Sequence, residues 1–140
     1  MTDSLKVIRY EAAPAVAFGP LSEYRPLVGD DCSDLAVRTG IQTACPGYET
    51  KPHCHPYVEI LHILSGAAEA WEQGRKENKV TLRAGDTLVI PARTWHSFRV
   101  LGDETLRLLG THLSTKRVVH YEDGAVSVGG KPPVASPDQQ

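Results

Sequence analysis

The sequence predicts an all-β domain, a sandwich or barrel. Its 12 glycines and 10 prolines recur at short intervals, and between them lie short runs rich in Val, Ile, Leu and Thr. Apolar residues nowhere keep a helical period for more than about two turns. The 140 residues, 41% hydrophobic and 23% charged, suit one soluble domain that buries its core without disulfides or a structural metal.

Residues 1–34 read as an N-terminal strand and an irregular arm. "LKVIRY" (5–10) is an edge strand, and residues 12–34, with three prolines and little periodicity, form the arm. A strand follows near 35–44, and "CPGYE" turns the chain, with Cys45 expected to be buried. Residues 58–64 form a strand that stops at Ser65-Gly66. "AAEAWEQ" and "NKVTL" flank the polar tip "GRKE" as a hairpin in which Trp71 packs. "AGDTLVIPA" is a turn feeding a strand that Pro91 ends. "WHSFRVL" and "TLRLLGTHL" are two more strands around "GDE", and "KRVVHY" is a further candidate. These strands place the barrel in residues 35–121. The remainder, 122–140, ends in the Gly/Pro-rich "GGKPPVASPDQQ" and is expected to be mostly disordered.

A formal net charge of −2 and the lack of a basic run argue against nucleic acid or anionic membranes as partners. The most apolar stretch, "YVEILHILSGAAEA", is interrupted by Glu59, His62 and Glu69, well short of the roughly 20 residues a spanning helix needs. "AAPAVAFGPL" holds two prolines behind Asp3 and Glu11, so it reads as mature chain rather than a signal core. Cys32, Cys45 and Cys54 are odd in number and unevenly spaced. That argues against a disulfide framework and for a reducing, cytoplasmic setting.

Residues 53–59, "HCHPYVE", carry the chemistry. Side chains alternate along a strand, so His53 and His55 point the same way, their Cα atoms roughly 6.6 Å apart, and Cys54 faces the other side. Two imidazoles so placed can converge on one ion at bond lengths of about 2.0–2.2 Å. Pro56 breaks the strand, and the chain can return with Glu59 beside the histidines. A carboxylate is a normal companion to imidazoles around a first-row metal.

The wider spacing extends the pattern. Residues 47–66 read G-x5-H-x-H-x3-E-x6-G, and residues 85–96 read G-x5-P-x4-H. These two stretches, 18 residues apart, resemble the two motifs of the cupin superfamily. The second departs from the usual pattern in having Arg93 where a glycine is common, and Val100 where an asparagine often stands. The resemblance implies a small single-domain cupin, a jelly-roll β-barrel (double-stranded β-helix) binding one divalent metal ion per chain. Carried over by position, the ligands are His53, His55, Glu59 and His96. The metal, one of Fe, Mn, Ni, Co, Cu or Zn, is left open by such a ligand set.

Counting alternate residues from Glu59 places Leu61 and Ile63 inside and Ile60, His62 and Leu64 outside; from His96, Phe98 and Val100 face inward and Trp95 and Arg99 outward. Leu61, Ile63, Phe98 and Val100 then give a pocket apolar walls. Tyr57 stands between ligands, near the pocket mouth. His112 lies on a late strand of undetermined parity, as a group behind the ligands, a base, or a satisfied or surface histidine. Four protein ligands leave one or two positions open on a five- or six-coordinate metal. Three readings follow for a small organic substrate or ligand. They are dioxygenase-type oxidoreductase chemistry, Lewis-acid isomerase or lyase chemistry, and non-catalytic binding or sensing. The apolar alternation on both faces of 58–64 also suggests a homodimer.

Overall fold

A computed structural model describes residues 4–29, 35–75 and 77–129. In chain order the strands are β1 (Val16–Ala17), β2 (Ser22–Val28), β3 (Arg38–Ala44), β4 (His53–Cys54), β5 (Glu59–Ser65) and β6 (Ala67–Glu72). They continue with β7 (Val80–Arg83), β8 (Thr87–Ile90), β9 (His96–Leu101), β10 (Leu106–His112), β11 (Val118–Tyr121) and β12 (Val126–Val128). Two six-stranded sheets result, in the orders β1-β2-β3-β10-β5-β8 and β12-β11-β4-β9-β6-β7. From β3 onward the chain crosses repeatedly between the sheets, as in a jelly roll, with β6–β7 and β11–β12 as hairpins within one sheet, and every pairing among the described residues is antiparallel.

The core lies between the sheets. Leu61 and Ile63 of β5, Ala68 and Ala70 of β6, Phe98 and Val100 of β9, and Leu106 and Leu108 of β10 form one buried cluster. The inside–outside alternation of β5 is the expected one: Glu59, Leu61 and Ile63 are buried, while Ile60, His62 and Leu64 are more exposed. His62 turns to the outer face and meets Thr87 Oγ1 at 2.8 Å. Gly66 turns β5 into β6 at φ +79, and a Cβ there would come within 2.7 Å of the Thr105 carbonyl. Trp71 packs as expected, 7% exposed.

Three expectations are corrected. Residues 5–9 are not a strand: they join no β-ladder among the described residues and lead into a 3-10 turn at Tyr10–Ala12. Leu5 is fully exposed and Val7 67% exposed, so this run has no sheet to pack on. Tyr10 is instead held between the guanidiniums of Arg25 and Arg107, at 4.8 and 5.3 Å.

The arm expected to be irregular contains β1 and β2, and β2 pairs along β3. Proline argued against a strand here, yet β1 covers only Glu23 and Tyr24 of β2. Pro26 therefore lies where β2 is an open edge, at a register shift before Val28. The segment 122–140, expected to be mostly disordered, begins with a hairpin in which β12 pairs with β11. Asp123 Oδ1 accepts the Ala125 N–H at 2.9 Å, and Gly124 takes φ +87, which closes the turn. The rest of that tail, 130–140, lies outside the described residues, as does Cys32. Cys45 is exposed rather than buried, because it sits on the turn itself, where its carbonyl accepts the Tyr48 N–H.

Candidate metal centre

The four residues of the sequence pattern come from both sheets. His53 opens β4 directly opposite His96, the first residue of β9. Glu59 opens β5, opposite His112 at the end of β10. β4 ends at Cys54, and the turn through Pro56 carries the chain from one sheet to the other, so that Glu59 returns facing the histidines. Arg93 donates its backbone N–H to the His55 carbonyl at 2.7 Å. It does so from φ 62, and among the described residues no other non-glycine has a positive φ. The turn that a glycine would make in the second motif is therefore kept by an arginine, at a cost in strain.

One nitrogen or oxygen from each of His53, His55, Glu59 and His96 lies within 4.8 Å of the others. The Nε2 atoms of His55 and His96 are each 3.3 Å from Glu59 Oε1. Ligands at about 2.0–2.2 Å from a common ion stand about 3–3.5 Å apart when adjacent, so this spacing suits a metal.

The backbone sets the tautomers. Each ring directs Nδ1 at a carbonyl: His53 at Lys51 (2.7 Å), His55 at Val118 (2.7 Å) and His96 at Thr94 (2.8 Å). A carbonyl only accepts, so Nδ1 carries the proton and Nε2 keeps its lone pair for the centre. His55 Nε2 is buried with no hydrogen-bond partner. A lone pair facing a carboxylate oxygen without a proton between them is repulsive and costly in a dry site, and a cation removes that cost. The set thus fits a divalent ion. Cys54, though buried, contributes nothing to it.

The electrostatics of the metal-free centre agree. Burial and the neighbouring His96 push the His53 imidazole down to about 3. Burial alone would raise the Glu59 carboxyl, but the surrounding histidines, His55 foremost, hold it well below the usual range. His96 is also disfavoured by burial, yet its contact with Glu59 overrides that and raises it.

His112 stands behind the cluster. Its Nε2–H donates to Glu59 Oε2 at 2.8 Å, and its Nδ1 accepts from the Tyr57 hydroxyl at 2.6 Å. Tyr57 in turn accepts the Val118 N–H at 3.0 Å, beside the carbonyl that holds His55. Its ring stacks on His55 at 5.2 Å. His112 and Tyr57 thus lock both a carboxylate and an imidazole of the cluster.

The cluster lines a cavity of about 580 Å³, together with Leu61, Phe98 and His112 from the expected pocket. Ile63, Val100 and Tyr57 do not line it. Ile63 and Val100 lie deeper in the core, and Tyr57 sits behind the rings. Sequence reasoning missed Tyr48, Arg117, Tyr121 and the Val16–Gly19 segment, all of which line it. The register of Tyr121 opposite His53 was hidden, because β11 was only a candidate strand.

The family model of the cupin domain matches residues 40–112. The polyketide synthase CurC of Streptomyces cyaneus is 36% identical over 76 residues, 54% of this chain and 47% of that protein. The chain thus spans about half the length of this curated relative. Among solved structures, the polyketide cyclase RemF of Streptomyces resistomycificus aligns with a TM-score of 0.67 at 18% identity, over 78% of this chain and 79% of that one. A predicted oxalate decarboxylase of Thermotoga maritima aligns with a TM-score of 0.68 at 20% identity, over 78% and 99%. At these identities the two structures show the shared fold.

Proposed function

The chain belongs to the cupin domain family, and on that premise we propose that it is a metal-dependent enzyme using Lewis-acid chemistry on a small, oxygen-rich carbonyl compound of the polyketide type. The observation that carries this is the set of three Nε2 lone pairs and one carboxylate at the wall of a cavity of about 580 Å³. That volume lies in the range of small-molecule sites, about 300–1,000 Å³. The relative named as a polyketide synthase, 36% identical over its matched part, and the fold shared with a polyketide cyclase support the substrate class.

A bound divalent ion would polarise a carbonyl oxygen and acidify the neighbouring C–H. The chain's own residues supply the rest. Backbone carbonyls hold the imidazoles in the ligating tautomer, and His112 fixes the carboxylate. Leu61, Phe98 and Leu108 present apolar wall that keeps water from a reactive enol. Burial raises the Tyr48 phenol, so it stays protonated and can donate to a substrate oxygen. A chain of carbonyls folded against these walls would bring an activated methylene near a second carbonyl, the geometry a ring closure needs.

The test is a panel of 1,3-dicarbonyl and phenolic compounds offered to protein loaded in turn with Zn, Mn, Ni, Co and Fe(II). Metal-dependent isomerisation or ring closure without oxygen consumption supports the reading. Oxygen uptake with iron alone would replace it with a dioxygenase, and saturable binding without product would leave a binding module.

A further inference from the structure

Arg117, just before β11, lines the same cavity as the metal cluster. Its guanidinium carbon lies 5.0 Å from the centre of the Phe18 ring, which itself stacks on Tyr24 at 5.5 Å and 4°. The arm that carries Phe18 therefore holds this cation against the cavity wall. Among the described residues, no salt bridge joins Arg117 to a carboxylate. It is half-buried, and its charge reaches the site. Burial raises the Tyr48 and Tyr57 phenols, and Arg117 is among the groups that pull them back.

The charge balance of the cavity points outward to a ligand. Among the described residues one carboxylate is buried, Glu59, and it is committed to the histidines. Glu49, Lys51 and Asp123 also line the cavity, but all three are exposed. A divalent ion together with Arg117 would leave the interior with an excess of positive charge. A half-buried guanidinium at a cavity wall keeps only part of its hydration, and a bidentate carboxylate would satisfy its fork.

We propose that Arg117 binds a carboxylate of the substrate, so that the molecule accepted here is an anionic oxo acid, anchored at one end by the metal cluster and at the other by this guanidinium. The inference rests on the cavity being a site for a metal-chelating substrate. It adds that the substrate carries an acid group away from its chelating end. Phe18, Tyr48, Phe98 and Tyr121, which line the cavity, suit a flat unsaturated body between the two poles.

The test uses the full chain loaded with cobalt(II), whose visible spectrum reports chelation. The probes are aryl 1,3-diketones bearing a meta or para carboxylate, each compared with its methyl ester. At least one acid is expected to bind about tenfold to hundredfold tighter than its ester, from one charge-assisted bidentate pair. R117Q is expected to bring acid and ester to the same Kd, and R117K to keep part of the preference. If R117Q does not fold, the acid-to-ester ratio of the native chain and of R117K decides. Equal binding of acid and ester in both isomers, with the cobalt spectrum changing, would overturn the role of Arg117 alone, as would an acid preference that survives in R117Q. If no probe alters the cobalt spectrum, the chelating-substrate reading fails, and the role of Arg117 fails with it.

Discussion

His55 Nε2 is the atom on which the centre turns. It is buried, it lacks a hydrogen bond, and it faces Glu59 Oε1 at 3.3 Å with its proton committed to the Val118 carbonyl on the far side of the ring. A positive charge between the two atoms would relieve their repulsion. His112 and Tyr57 matter for the same reason, since they orient the carboxylate and the ring without belonging to the candidate ligand set. His112→Ala is therefore expected to weaken metal binding about tenfold to hundredfold, read by competition with a calibrated chelator. Wild-type affinity in that variant would show that Glu59 needs no such support. Arg93 offers a different test. Its φ of 62 costs an L-residue about 1–2 kcal/mol, part of which a glycine gives back as unfolded-state entropy. Arg93→Gly is expected to raise stability by about 0.5–1 kcal/mol in urea unfolding, because the exposed side chain has no packing to lose.

At the scale of elements, β2 and β3 are joined by a tight fit. A Cβ on Gly40 would come within 2.2 Å of the Tyr24 ring, whose position the pairing of β2 and β3 restricts. Gly40→Ala is expected to destabilise the domain by about 1–3 kcal/mol, again in urea. Little of this pairing was legible in the sequence, because Pro20 and Pro26 disguise β2 and the edge position that tolerates proline is a property of the assembled sheet. The opposite holds for β5 and β9, whose alternation showed which residues face inward. The four members of the metal cluster were legible because strand alternation and short turns link His53 to Glu59 and resemblance supplied His96. His112 was legible in principle: Leu106, Leu108 and Gly110 share its buried face. Leu109, of the opposite parity, blurred that signal. Tyr48, Arg117 and Tyr121 were not legible, because what brings them to the cavity is the meeting of two sheets.

For the molecule as a whole, a metal held at this cluster would link protons and folding. Burial disfavours the charged His96 imidazole, but Glu59 overrides this and raises it above its ordinary value, so an arriving ion competes with a proton there. Metal affinity is therefore expected to fall as pH drops from about 8 to 6, by up to about tenfold per unit while one proton is exchanged, in titrations at fixed ionic strength. An affinity flat across that window would mean that His96 is neutral throughout. Binding that favours only the folded chain also raises stability, by about 4 kcal/mol at a free concentration a thousand times Kd. Excess chelator should then lower the melting temperature by about 8–16 °C at about 2–4 °C per kcal/mol. The most direct measurement is metal content per chain after reconstitution and desalting, in the wild type and in His53→Ala and His96→Ala. One tightly held divalent ion per wild-type chain, and far less than one in either variant, is the result predicted. A wild-type chain that retains no ion, or variants that retain it as well as the wild type, would contradict the assignment of His53, His55, Glu59 and His96 as a metal centre.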